Sequence, residues 1–86
     1  MLEAINEPVS VLASFGRAPH GVVKVLPHRL RWRGRTYEVE TFGLYHPERR
    51  GTKRLHIFSF ASESTNFRVE LDPETLEWTL AEIYYE

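Results

Sequence analysis

Residues 29–40 read RLRWRGRTYEVE, and the way this stretch pairs with itself decides the fold. A two-residue turn at Arg33-Gly34 sets Trp32 opposite Arg35, Arg31 opposite Thr36, Leu30 opposite Tyr37 and Arg29 opposite Glu38. In that register Leu30, Trp32, Tyr37 and Val39 share one face, while Arg29, Arg31, Thr36, Glu38 and Glu40 share the other. A slip by one residue would turn arginines into the core, so the hydrophobic pattern fixes the pairing. Gly34 supplies the positive φ that a tight hairpin turn requires. Arginines opposite or diagonal to glutamates form cross-strand pairs worth about 0.2–1 kcal/mol each, so part of this charge is explained without a ligand.

The same period of two runs through most of the chain. PVSVLASF, residues 8–15, places Val9, Val11, Ala13 and Phe15 on one side and Ser10 and Ser14 on the other, which predicts a half-buried strand. GRAPHG, residues 16–21, is turn chemistry, and VVKVL, residues 22–26, is a β-branched second strand. Pro27 cannot donate a ladder hydrogen bond, so the strand ends, bulges or lies on an edge there. LHIFSFA, residues 55–61, is apolar on both faces and reads as a central strand. SESTN, residues 62–66, is a turn. FRVELD, residues 67–72, alternates with Phe67, Val69 and Leu71 inward.

DPETLEWTLAEIYYE, residues 72–86, reads two ways. Asp72 as N-cap and Pro73 at the first helical position would open a short C-terminal helix. A DPET turn followed by a strand is the other reading, and Trp78, Thr79, Ile83, Tyr84 and Tyr85 favour it.

These segments predict one all-β domain over residues 1–86: an antiparallel meander of five or six strands, curled into a half-barrel or small barrel. Its expected core is Val25, Leu30, Trp32, Tyr37, Val39, Phe58, Phe60, Val69, Leu71, Trp78 and Leu80. At 86 residues a chain buries only about 60–65% of its unfolded surface, too little for a second core. Curling lets a short sheet shield one apolar face without helices. The chain has no cysteine, hence no disulfide framework and no thiolate metal site. No run approaches the ~18 apolar residues of a membrane span. The start, MLEAINEPVS, lacks a basic region followed by an apolar run. A cytoplasmic protein without a membrane partner is expected.

The net charge of −1 hides a strong asymmetry. Residues 17–54 sum to +7, residues 55–86 to −6 and residues 1–16 to −2. Either the blocks pair within the sheet or they leave a dipolar molecule. YHPERRGTKR, residues 45–54, reads as a long polar loop with only Glu48 beside Arg49, Arg50, Lys53 and Arg54. These four, extended by Arg31, Arg33 and Arg35 at the hairpin tip, form the candidate contact for the phosphate backbone of DNA or RNA. Trp32, Tyr37, Phe42 and Tyr45 are candidate stacking surfaces, with core packing the simpler role for Trp32 and Tyr37.

PHRLRWRGRTYEV followed by RLHIFSFASESTNFRVELDPETLEWTLAEIYY resembles a small bacterial domain of unknown function. That domain carries a Trp-Arg-Gly-Arg turn and a closing W-x-L segment ending in tyrosine and an acid. It occurs alone or as the C-terminal tail of Y-family polymerase-like proteins of lesion bypass. The matching positions are Pro27, Trp32, Arg33, Gly34, Arg35, Val39, Trp78, Leu80 and Tyr84, and the resemblance covers residues 8–86. It implies an all-β fold, a setting in DNA repair and a lesion-bypass protein as partner. It supplies no catalytic residue.

Catalytic and metal chemistry has little to build on. His20, His28, His46 and His56 are widely spaced along the chain. Ser59 projects from the opposite strand face to His56, so no local nucleophile–base pair arises. Glu38 and Glu40 share a face about 7 Å apart but have arginines beside them. The expectation is therefore a non-enzymatic binding module without cofactor or metal. It makes weak, sequence-independent contact with nucleic acid through the basic loop. The alternative is a protein-interaction or homodimerisation module that uses a sheet edge and the acidic C-terminal third.

Overall fold

The computed structural model describes residues 1–17 and 23–85; part of the turn expected over residues 16–21, with His20, lies outside them. Seven strands follow in order: β1 (Leu2–Arg17), β2 (Val23–Trp32), β3 (Arg35–Glu38), β4 (Thr41–Arg50), β5 (Lys53–Ser62), β6 (Thr65–Asp72) and β7 (Glu77–Tyr85). They form one antiparallel sheet in the order β3-β2-β1-β7-β6-β5-β4. The all-β antiparallel meander is as expected. The strand count is seven rather than five or six, and no C-terminal helix forms. Asp72 accepts a hydrogen bond from the Glu74 amide at 2.9 Å, and Leu76 takes φ 61°. This turns residues 73–76 into a hairpin loop and sends Trp78 and Leu80 into β7.

Taken cyclically, the strand order is the chain order, with only the β3–β4 ladder missing. Laid flat, six inter-strand gaps would hold the two edges about 29 Å apart. Yet Glu38 ends β3 and Thr41 begins β4, three Cα steps that span at most about 11 Å. The sheet must therefore curl until its edges approach. The curl is visible in a contact between strands distant in the sheet, Tyr37 of β3 on Phe67 of β6 at 4.9 Å between ring centroids. It is visible too in the connection between the edges, where the Val39 amide donates to the His28 carbonyl of β2 and the next amide, Glu40, to the Ala61 carbonyl of β5. The sheet does not close into a barrel, because β3 and β4 remain its two edges.

Register shifts in four of the ladders add coiling, since each bulge raises the local twist. One lies beside Pro27: Ala13 pairs with Pro27 and Leu12 with Arg29, which leaves His28 as the extra residue. The long β1 serves two neighbours, pairing through Leu2–Val9 with β7 and through Ser10–Arg17 with β2. The hairpin of residues 29–38 has the register the sequence dictates, Arg29 to Glu38 through Trp32 to Arg35, with φ 51° at Arg33 and 76° at Gly34.

The concave face holds the core: Leu30, Phe58, Phe60, Phe67, Val69, Leu71, Leu80 and Ile83 are buried. Trp32, Tyr37, Val39, Val25 and Trp78 line it half-buried. On the convex face Ile57 is nevertheless 0% exposed. Its cross-strand neighbours are His46 and Glu70, and ion-paired Arg50, Glu48, Glu70 and Arg68 surround it, so their aliphatic stems roof the position.

Candidate functional site

Residues 45–54 are not a loop. β4 runs to Arg50, β5 starts at Lys53, and Gly51-Thr52 alone make the turn, with φ 63° at Gly51. Pro47 is tolerated inside a strand because β4 is an edge. This changes what each basic residue faces. Arg50 and Lys53 point to the convex face and are ion-paired: Arg50 with Glu48 and with Glu70 (2.9 Å), Lys53 with Asp72 (3.1 Å). The two carboxylates hold the Arg50 guanidinium proton far more tightly than usual, Glu70 more than Glu48. Arg50 in turn lowers the Glu48 carboxyl, and the Glu74 amide, then Lys53, lower that of Asp72.

Arg49 and Arg54 point to the concave side, directly opposite one another across the ladder. Among the described residues, neither they nor Arg31 form an ion pair with a carboxylate. Arg31 lies on the convex face between Ser10 and Thr36. Arg33 and Arg35, at the other hairpin tip, are both engaged. Arg33 donates to Glu7 at 2.6 Å and stacks 4.6 Å over Trp32, while Arg35 pairs with Glu63 and lies 5.1 Å over Tyr37. Glu63 sits in the turn at the far end of β5 from Gly51, and the ten residues of β5 separate those ends by about 30 Å. The seven candidate residues are thus not one patch. The structure brings Arg49, Arg50, Lys53 and Arg54 together at one end and leaves Arg49 and Arg54 as its uncompensated pair.

The charge of the basic block is neutralised in part within the sheet. Arg33–Glu7, Arg35–Glu63, Arg50–Glu70 and Lys53–Asp72 each join a cation of residues 17–54 to an acid outside them.

Beside the arginine pair lies an aromatic surface. A bulge between Phe42 and Tyr45 sets Phe42 opposite Phe60 and Tyr45 opposite Phe58. The extra residue turns Tyr45, Pro47 and Arg49 onto the concave side; without it they would face outward. Tyr45 lies near-parallel on His56 (5.8 Å, 21°), packs on Phe58 (5.1 Å), and its hydroxyl is 2.7 Å from His56 Nδ1. Tyr45 stays 46% and Phe42 39% exposed. The sequence marks both as stacking candidates but not the shared face; Gly43, a glycine inside a strand, is the signal of the bulge that creates it.

Among the described residues, no three His, Asp or Glu side chains form a metal-holding group, and no helix is long and apolar enough to cross a membrane. No protein-family model, curated protein or solved structure matches the chain.

Proposed function

We propose that the chain is a non-enzymatic binding module that makes weak, sequence-independent contact with nucleic-acid phosphates through the β4–β5 hairpin. One observation carries this reading. Arg49 and Arg54 stand opposite each other with no acid paired to either among the described residues. Like charges directly opposite on a ladder destabilise it, and an anion bound between them relieves that repulsion. Arg33, Arg35, Arg50 and Lys53 would have to give up carboxylate partners first, so they contribute little. The resemblance of the Trp-Arg-Gly-Arg hairpin to a domain carried by lesion-bypass proteins supports DNA as the ligand and such a protein as neighbour.

Two phosphate contacts give a log–log salt slope of about −1.8 on duplex DNA and about −1.4 on single strands. Fluorescence anisotropy of a labelled oligonucleotide across a salt series measures it. Replacing both Arg49 and Arg54 with Gln is expected to abolish the binding and leave the thermal midpoint unchanged or slightly raised. Arg50→Gln, by contrast, lowers the midpoint, because Glu48 and Glu70 lose their shared cation. No affinity for DNA or RNA at low salt would overturn the reading.

A second reading has its own observation. β4 is an outer strand ten residues long, and at its bulge Leu44 is 71% exposed. An open edge of this kind can add a strand from a second copy of the chain. Sedimentation over a range of protein concentrations tests it, with Leu44→Asp expected to shift any dimer back to monomer. A strict monomer at about millimolar concentration, where even weak pairing is populated, removes it.

A further inference from the structure

We infer that the nucleic acid taken by the β4–β5 hairpin is single-stranded, with a base stacked on Tyr45 and a flanking phosphate held between Arg49 and Arg54. The inference rests on the reading above and names the form of its ligand. Its basis is the way Tyr45 is held. His56 and Phe58 both pack against the ring, and the hydroxyl is tied to His56 Nδ1. The ring is therefore oriented before anything binds, and close to half of the residue remains open to solvent. An aromatic that is already immobilised loses little freedom when a ligand covers it.

The purpose of such a surface is narrow. Bases stack on exposed aromatic rings regardless of their identity, but only when they have left their own duplex stack. Phe42, edge-on to Phe58 at 6.4 Å, offers a second half-exposed ring on the same face. The cations stand where a backbone would pass. Tyr45 leans onto His56, and Arg54 is two residues from His56 on β5, a step of about 7 Å. Arg49 faces Arg54 across the ladder. A duplex could use the two arginines but would leave Tyr45 and Phe42 without a role. A ligand of simple anions would likewise have no use for the rings.

The test compares a labelled oligothymidine with a duplex of equal length at one low salt concentration. The intact chain is expected to prefer the single strand. Tyr45→Ala should weaken single-strand binding by about tenfold and leave duplex binding unchanged, while Tyr45→Phe, which keeps the ring but loses the bond to His56, should bind the single strand more weakly than the parent and more tightly than Tyr45→Ala. Because Tyr45→Ala also empties a contact on Phe58, Tyr45→Leu serves as a control that keeps apolar packing without an aromatic face, and it should lose binding to a similar degree. Photo-cross-linking of the unaltered protein to an iodouracil-bearing strand should map to Tyr45 or Phe42. Equal affinity for single strand and duplex, with Tyr45→Ala and Tyr45→Leu without effect, overturns the inference and leaves the arginine contact standing. Cross-links confined to other surfaces overturn it as well. Absence of binding to either form removes the functional reading beneath it.

Discussion

Glu7 occupies a position on β1 opposite Leu80, on the concave side with the core. A carboxylate there is tolerated because the Trp32 indole N–H donates to its Oε1 at 3.0 Å and Arg33 donates to both of its oxygens. Those bonds, Arg33 first and Trp32 second, lower the Glu7 carboxyl below its usual range. A carboxyl lowered by folding adds stability above the unfolded-state value, and that stability is lost as pH falls through the folded one. Glu48 and Asp72 carry shifts of the same sign. Stability should thus be flat from neutral pH to about 5 and fall below about 4.5, with Glu7→Gln showing a shallower fall in urea titrations repeated across pH. Trp32 itself is half-buried and ties Glu7 to the hairpin. Trp32→Ala is expected to cost about 3 kcal/mol, the low end for an emptied aromatic site. A loss below about 1 kcal/mol would mean the indole does no packing. The place of Trp32 was legible, because alternation on both arms of RLRWRGRTYEVE admits one register. Its partner was not: Glu7 lies 25 residues away in the chain, and nothing local in MLEAINEPVS announces a bond to an indole.

At the level of elements, the bulge in β4 decides which side chains the outer hairpin presents. Gly43 sits within it, and a Cβ there would meet the Ser59 carbonyl oxygen at 3.1 Å. Gly43→Val is expected to cost about 1–3 kcal/mol, as overpacking does. It should also loosen the Tyr45–His56 contact, visible as a change in the His56 ring resonances. Retention of both stability and those resonances would show that the bulge does not depend on Gly43. The basic run misled at this level. Pro47 and Gly51 are loop punctuation, and a run of polar residues between them suggests a long connection. Only the position of β4 at the edge, a fact of topology, makes Pro47 harmless and lets Gly51-Thr52 serve as the whole turn. The central role of LHIFSFA was legible because both faces are apolar. That its convex face is roofed by ion pairs rather than by a second layer was not, since the acids involved come from three strands.

For the whole molecule, the cyclic order of the strands means that the described ends of the chain are neighbours: the Tyr85 amide donates to the Met1 carbonyl at 3.0 Å. The β1–β7 ladder is the one pairing between strands far apart in the chain. Join residue 85 to residue 1 through a short glycine linker and open the chain between Val39 and Glu40. The strands then read β4 to β7 and β1 to β3, and every ladder becomes a hairpin between consecutive strands. Such a circular permutant has lower contact order and should refold faster in stopped-flow experiments. It also releases the tether that draws the two edges together. If the curl is held by the bulges and by Tyr37 on Phe67, the permutant keeps its near-ultraviolet circular dichroism. If the tether alone imposes the curl, the sheet opens, the aromatic signal fades, and two free termini become the means by which this fold would gain further strands.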